Sequence, residues 1–434
     1  MPIISIIIPV YNTQKYLKRC LDSCLNQTLQ EIEIIVINDA SPDNSIEIMK
    51  KYEAEYPEKI KCIYLTENIR QGGARNIGLK NAKGEFVLFV DSDDWIQPEM
   101  CEKLYLESLK SNADIVYCNV LREKKDGYVV NNRFPKELLG EVNEDKIRIL
   151  IMQLLVGPWA HIIKTSIIID NVLFFPERVI FEDMVITRMW DIYAHRISKV
   201  EEPYYIYCLN MDSVGQNRIS VYYDDGFQCV NLLYKKLEED SRTKKFKLER
   251  ELICLYHAIS ILQNIIKRST INFDDKIQKD FQKCINTICK SPYERIEWKY
   301  WFTKKEIKWI VSEVNFDYYR QSSFHDRVEE YKEYYERLKM DIEIIFSYFF
   351  EQKVRKIAVW GKTDYALGFS YAFHNCSVID RIEEAEEQEV ECVLALRSLH
   401  CENIKNSLKG INVKIFDLQG YLLWNKDILM SIIK

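Results

Sequence analysis

Two near-continuous apolar runs constrain this chain more than any other feature. IISIIIPV at 3–10 and IEIIVIND at 32–39 show almost no alternation of polar and apolar residues, so each must be a strand covered on both faces. Between them Leu17, Cys20, Leu21, Cys24 and Leu25 recur at helical spacing, with Asn12 or Thr13 placed to cap the helix. A helix from about Ser45, a strand KCIYL at 61–65, a short helix at 74–82 and a strand FVLFV at 86–90 extend the pattern. This β-α-β-α-β order predicts an α/β fold whose mainly parallel sheet carries helices on both faces.

At 434 residues the chain is too long for one ordinary core. The order loosens from 98 to about 220, where EEPYYIYCLN reads as an edge strand with a proline at its start. Long amphipathic runs at 248–268 and 325–352 predict a helical module over 221–352. Strands at KIAVW, ECVLAL and NVKIFDL then predict a small Rossmann-like α/β unit over 353–434. There GKTDYALG (361–368) lacks the middle glycine of a dinucleotide-binding loop, so the unit reads as a packing or docking domain.

Composition excludes several classes. A net charge of -6 offers no electrostatic footprint for nucleic acid. The 13 cysteines are odd in number and irregularly spaced, with no CxxC pair. Together with an N-terminus lacking a basic leader segment, they read as reduced thiols of a cytoplasmic protein. No run approaches the ~18–20 apolar residues of a membrane span. Peripheral contact with the inner face of a membrane, or a protein partner docked on the helical module, stays compatible with the sequence.

In an open parallel sheet, ligands bind beyond the carboxyl ends of the strands. Three strands end there in polar groups: Pro9-Val10-Tyr11-Asn12, Asn38-Asp39 and Asp91-Ser92-Asp93-Asp94. Each alone could be a helix cap or a turn. A glycine-rich basic loop, Arg70-Gln71-Gly72-Gly73-Ala74-Arg75-Asn76, feeds a helix N-terminus and suits a phosphate. An aspartate at a strand end can accept the imide N–H of a uracil-like base. A carboxylate pair can hold a divalent cation that also takes substrate phosphates. The parts describe a site for a nucleoside diphosphate with Mn²⁺ or Mg²⁺.

The first 45 residues, GGARNIGLKNAKGEFVLFVDSDD and the later FEDM resemble family 2 of the inverting bacterial glycosyltransferases, which have the GT-A fold. The resemblance covers roughly residues 1–210. It implies that Pro9, Tyr11 and Asn12 line the nucleotide pocket and that Asp39 contacts the uracil ring. It implies Arg75 near the base or ribose-phosphate, Asp91 facing the ribose or the metal shell, and Asp93 as direct metal ligand. Asp94 would cap the next helix or support the motif. The chain departs from the family where Asn38-Asp39-Ala40-Ser41 replaces two aspartates followed by Gly-Ser, which changes what the turn must tolerate.

Inverting transfer needs a base for the acceptor hydroxyl, and carboxylates that hold a metal are poor bases. Glu182-Asp183 opens an apolar helical stretch, where acidic residues also favour a helix N-terminus for electrostatic reasons alone. The family assigns catalysis to this pair, so Asp183 is the expected base, with Glu182 orienting it or binding acceptor. Trp159 is either an acceptor contact or core, and His161 reads as structural. The implied activity is hexosyl or N-acetylhexosaminyl transfer from a nucleotide-diphosphate sugar, with a UDP-sugar expected, to a glycan or lipid-linked acceptor in surface polysaccharide synthesis. The competing readings are a non-catalytic nucleotide-sugar-binding or scaffolding subunit and a sugar-phosphate nucleotidyltransferase.

Overall fold

The computed structural model describes residues 1–288, apart from 125–126, 132–133, 135, 154–156, 209, 211–218 and 269–274. Beyond them it describes four strands and residues 332, 369, 373 and 388. The helical run at 325–352, save residue 332, and the GKTDYALG loop lie outside the described residues. The chain forms two compact units, Met1–Ile261 and Leu262–Lys434.

The first unit is built on one sheet. Strands β1 (Ile4–Val10), β2 (Ile32–Asn38), β3 (Ile60–Tyr64) and β4 (Phe86–Phe89) pair in parallel in the order β3-β2-β1-β4. Helices α1 (Gln14–Leu25), α2 (Ser45–Glu55) and α3 (Arg70–Asn81) connect them. A two-residue strand β5 (Trp95–Ile96), helix α4 (Met100–Ser111), strand β6 (Ile115–Lys124) and its hairpin partner β7 (Gly127–Asn131) follow. Then come β8 (Gly140–Glu141), α5 (Glu144–Ile151), β9 (His161–Lys164), α6 (Thr165–Asp170), α7 (Glu182–Tyr193) and β10 (Arg196–Tyr207). β9 enters antiparallel between β4 and β6, and β10 runs parallel to β6.

The apolar runs are covered on both faces, as their lack of alternation requires. Every residue of β1 is buried, and each fully buried Ile or Val contributes about 1.5–3 kcal/mol. Ile4, Ile6, Ile8 and Val10 pack with Leu17, Cys20, Leu21 and Cys24 of α1, Met49 of α2 and Leu104 of α4. Ile7 and Ile37 face the other way, so close to α3 that a side chain at Gly78 would meet Ile7 Cγ2 at 2.4 Å. On that second face Phe89 stacks on Trp190 at 5.7 Å and meets Phe175 edge-on at 5.6 Å, seating α7 against the sheet.

Two local expectations are corrected. β10 is a 12-residue strand lying between β6 and β5, and Pro203 sits inside it, where the pairing register shifts on either side. The proline therefore marks a bulge, where its missing N–H disturbs the ladder least. Thr13 stands at the start of α1, but its hydroxyl donates to Ser92 Oγ at 2.9 Å, and the Gln14 N–H is taken by Asp43 Oδ2 at 2.8 Å.

Helix α8 (Ile219–Glu239) packs on α7, and α9 (Lys247–Arg268) begins within the first unit. Arg188 of α7 is buried there, donating to the Ile151 carbonyl at 2.7 Å and lying 2.9 Å from His257 Nε2. In the second unit, α10 (Asp275–Ile288) is followed by a parallel sheet of β11 (Ile357–Trp360), β12 (Cys376–Ile379), β13 (Cys392–Ala395) and β14 (Lys414–Asp417), in the order β12-β11-β13-β14. None of the ten cysteines whose side chains the structure describes forms a disulfide.

Candidate active site

The ends of β1 and β2 are tied into one rim. The Asp39 N–H donates to Val10 O at 2.9 Å, and the Asn12 N–H to Ser41 Oγ at 2.8 Å. Pro9 is buried in β1, Tyr11 is half-buried, and Asn12 is exposed with φ 57°. Ala40 has φ 52°, so the turn keeps the left-handed shape that suits the family's glycine and bears a cost of about 1–2 kcal/mol for its Cβ. Asp39 is buried, and its Oδ1 accepts the Ile69 N–H at 2.7 Å at the entry to α3. Burial pushes this carboxyl up, against the backbone donors that pull it down.

The segment Arg70–Asn76 corrects the sequence reading. It is not a loop ahead of a helix: α3 starts at Arg70, and Gly72, Gly73 and Arg75 are buried inside its first turns. A Cβ on Gly72 would lie 2.5 Å from Pro176 O and 2.9 Å from Glu182 Cγ. The glycine permits close packing against the start of α7, not a phosphate cradle. Arg75 is likewise turned inward, 2% exposed. It donates to Asp91 Oδ1 at 2.8 Å and to Glu182 Oε1 at 2.5 Å, with its guanidinium over the Phe175 ring.

The three carboxylates after β4 have separate environments. Asp91 is partly exposed and paired with Arg75. Asp93 is half-buried, and its Oδ2 accepts from Asn210 Nδ2 at 2.8 Å. Burial first, and the Asp91 charge second, push the Asp93 carboxyl up. Asp94 is buried and does not cap α4. Its Oδ2 accepts from the Tyr205 hydroxyl at 2.7 Å and its Oδ1 from the Cys208 N–H at 2.8 Å.

Among the described residues no group of three or more His, Cys, Asp or Glu could hold an ion by itself. A hard cation of the Mg²⁺ type needs only one or two carboxylates when phosphates and waters complete its shell. Asp91 and Asp93, two carboxylates two positions apart in the turn after β4 and each partly open to solvent, fit that requirement.

Glu182 and Asp183 form the first turn of α7, after a loop in which Arg178 and Phe181 have φ 61° and 71°. That loop is pinned on both sides. The Ile180 N–H donates to Asp225 Oδ2 of α8 at 3.1 Å, and the Arg178 N–H to Ile69 O at 3.0 Å. Glu182 is buried against Arg75, and burial raises its carboxyl to about 7 while Arg75 pulls it down. Glu182 therefore faces Arg75 rather than an acceptor. Asp183 is half-buried, its Oδ1 accepting the Met184 N–H at 2.8 Å. The contacts Asp91–Arg75–Glu182 thus join the acidic turn to the helix that carries Asp183.

Trp159 is half-buried and stacks on Tyr205 at 5.1 Å. His161 is buried among Tyr117 and Trp190, with Nδ1 3.1 Å from Trp159 O, in keeping with a structural role. Sequence reasoning missed Tyr205 and Asn210, which touch the acidic turn from more than a hundred residues away. No local signal marks either one.

Residues 5–163 match the family described as Glycosyl transferase family 2. A Bacillus subtilis protein named as a glycosyltransferase, EpsH, is 31% identical over 273 residues, spanning 62% of this chain and 78% of that one. This chain belongs to the family 2 glycosyltransferases. A poly(ribitol-phosphate) beta-N-acetylglucosaminyltransferase of Staphylococcus aureus, TarS, is 30% identical to this glycosyltransferase over 234 residues. That alignment covers 53% of this chain and 39% of TarS. A crystal structure of TarS 1–349 in complex with UDP-GlcNAc superposes with a TM-score of 0.58 at 23% identity. It covers 74% of this chain and 90% of that one, a likeness of fold. The fold of the glycosyltransferase is α/β of the GT-A type.

Proposed function

We propose that this glycosyltransferase moves a hexosyl or N-acetylhexosaminyl group from a UDP-sugar to a hydroxyl of a glycan or lipid-linked acceptor in bacterial surface polysaccharide synthesis, with inversion. The observation that carries the reading is the Asp91–Arg75–Glu182 bridge. It links the acidic end of β4, beside the rim formed by β1 and β2, to the helix turn bearing Asp183. The activity for which the relative TarS is named supports the substrate class.

Pro9, Tyr11 and Asn12 line the nucleotide pocket, Asp39 contacts the base, and Asp91 faces the ribose. Asp93, with Asp91, would hold Mn²⁺ or Mg²⁺, which when bound offsets the charge developing on the leaving diphosphate. Asp183 accepts the acceptor's hydroxyl proton as the new C–O bond forms at the anomeric carbon and the bond to the diphosphate oxygen breaks. Glu182 and Arg75 hold the Asp183 turn in place. A lipid-linked acceptor would bring the chain to the inner face of the cell membrane, with residues 221–352 a candidate surface for a partner. No helix among the described residues is long and apolar enough to cross a membrane.

Thermal unfolding with a panel of nucleotide sugars tests the donor. UDP-sugars with Mn²⁺ at about 100 times Kd should raise Tm by roughly 5–10 °C, since such binding is worth ~2.7 kcal/mol. EDTA should remove most of that rise. A shift with GDP-sugars alone would exclude the UDP donor, and a shift indifferent to EDTA would exclude the cation.

A further inference from the structure

The carboxylates of the acidic turn differ in what neutralises them. Asp91 is paired with a permanent cation, the Arg75 guanidinium at 2.8 Å. Asp93 is met by a neutral amide: Asn210, 8% exposed, donates through Nδ2 to Asp93 Oδ2 at 2.8 Å. Arg19 donates to the Asp93 backbone carbonyl at 3.4 Å and to Cys208 Sγ at 2.9 Å, so it reaches the turn through atoms other than the Asp93 carboxylate, on which its charge acts without an ion pair.

Asn210 reaches Asp93 because the chain leaving β10 is fastened to the same turn. Asp94 takes both the Tyr205 hydroxyl and the Cys208 N–H, and that hydroxyl also accepts the Asp91 N–H at 3.2 Å. Trp159 stacked on Tyr205 stiffens the attachment. A neutral donor fixes the orientation of a carboxylate while leaving its charge intact, whereas a lysine or arginine at the same place would substitute for a metal ion.

We infer that Asn210 is a positioning residue that orients the Asp93 carboxylate for a divalent cation without neutralising it. The inference rests on the reading of Asp93 as cation ligand. Asn210 engages Oδ2, and Oδ1 would be the oxygen offered to the ion. Asp94 acts as the clamp that sets Asn210 in register and is not itself a ligand. Partners that orient a metal ligand in this way are commonly worth 10–100-fold in metal affinity.

Direct Mn²⁺ binding, followed by the loss of the free-ion electron paramagnetic resonance signal in the presence of UDP, tests this without reference to turnover. Wild-type protein should bind Mn²⁺, Asp93→Ala should not, and Asn210→Leu should bind about 10–100-fold more weakly. UDP affinity without Mn²⁺ should stay unchanged in Asn210→Leu. Asn210→Gln, which keeps a neutral amide donor, should recover part of the affinity, and Asn210→Ala is read as a second variant lacking the donor. Wild-type affinity in Asn210→Leu and Asn210→Ala would overturn the role of Asn210 while leaving Asp93 as ligand. Failure of the wild type to bind, or full binding by Asp93→Ala, would overturn the Asp93 reading itself.

Discussion

Asp183→Asn should lower kcat by about three orders of magnitude and leave the KM for the donor within a few-fold of wild type. General base catalysis by a positioned carboxylate is commonly worth 10²–10⁴-fold, and an amide of the same shape cannot take the proton. The donor would be held at the ends of β1, β2 and β4, so its binding should be little affected. Loss of one negative charge in the first turn of α7 costs only about 0.3–1 kcal/mol of stability. Steady-state kinetics with a transferable acceptor checks this. Near-normal kcat would move the base elsewhere, and Glu182 would be a poor replacement because it is buried against Arg75.

Arg75→Met should destabilise the first unit by about 3–5 kcal/mol, the usual cost of leaving a buried carboxylate without its partner. For a unit of this size that is a fall in Tm of roughly 10 °C. The loss should depend on pH. Glu182 is already raised to about 7 by burial, and without Arg75 only a backbone hydrogen bond still pulls it down. A carboxyl raised above its unfolded value near 4.5 binds its proton more tightly in the folded state. Its contribution is therefore full below about pH 4.5 and lost as pH rises through the folded value. Arg75→Met should then be markedly less stable at pH 8 than at pH 5, whereas the wild type should differ less. Adding Glu182→Leu, which replaces the stranded charge by an apolar side chain, should recover much of the stability at pH 8. Denaturant or thermal unfolding of the single and double variants at the two pH values provides the check. An Arg75→Met protein as stable as wild type at pH 8 would show that the bridge is not the strut described here.

What the sequence made legible follows from its physics. The unbroken apolar runs at 3–10 and 32–39 could only be strands covered on both faces, and β1 and β2 are buried accordingly. The place of the acidic cluster was legible because strand order alone puts the end of β4 beside that of β1, at the carboxyl edge of the parallel strands. Local reading failed where a distant segment decides the outcome. Gly72 and Gly73 have the composition of a phosphate loop, but the neighbour that requires a glycine is the carbonyl of Pro176, which one sequence does not bring near residue 72. Arg75 reads as a ligand-facing charge until Glu182 is known to lie 2.5 Å away. Pro203 suggests the start of an edge strand because its bulge is visible only in the pairing with β6. Asn210 carries no signal at all, since its contact with Asp93 spans 117 positions.

The most direct test of the account is a crystal structure of the protein with UDP and Mn²⁺. The uracil is expected beside Asp39, the ribose by Asp91 and the ion between the diphosphate and Asp93. Nucleotide bound instead at the parallel strands β11 and β13 of the second unit, or absent from the ends of β1, β2 and β4 at saturating concentration, would contradict it.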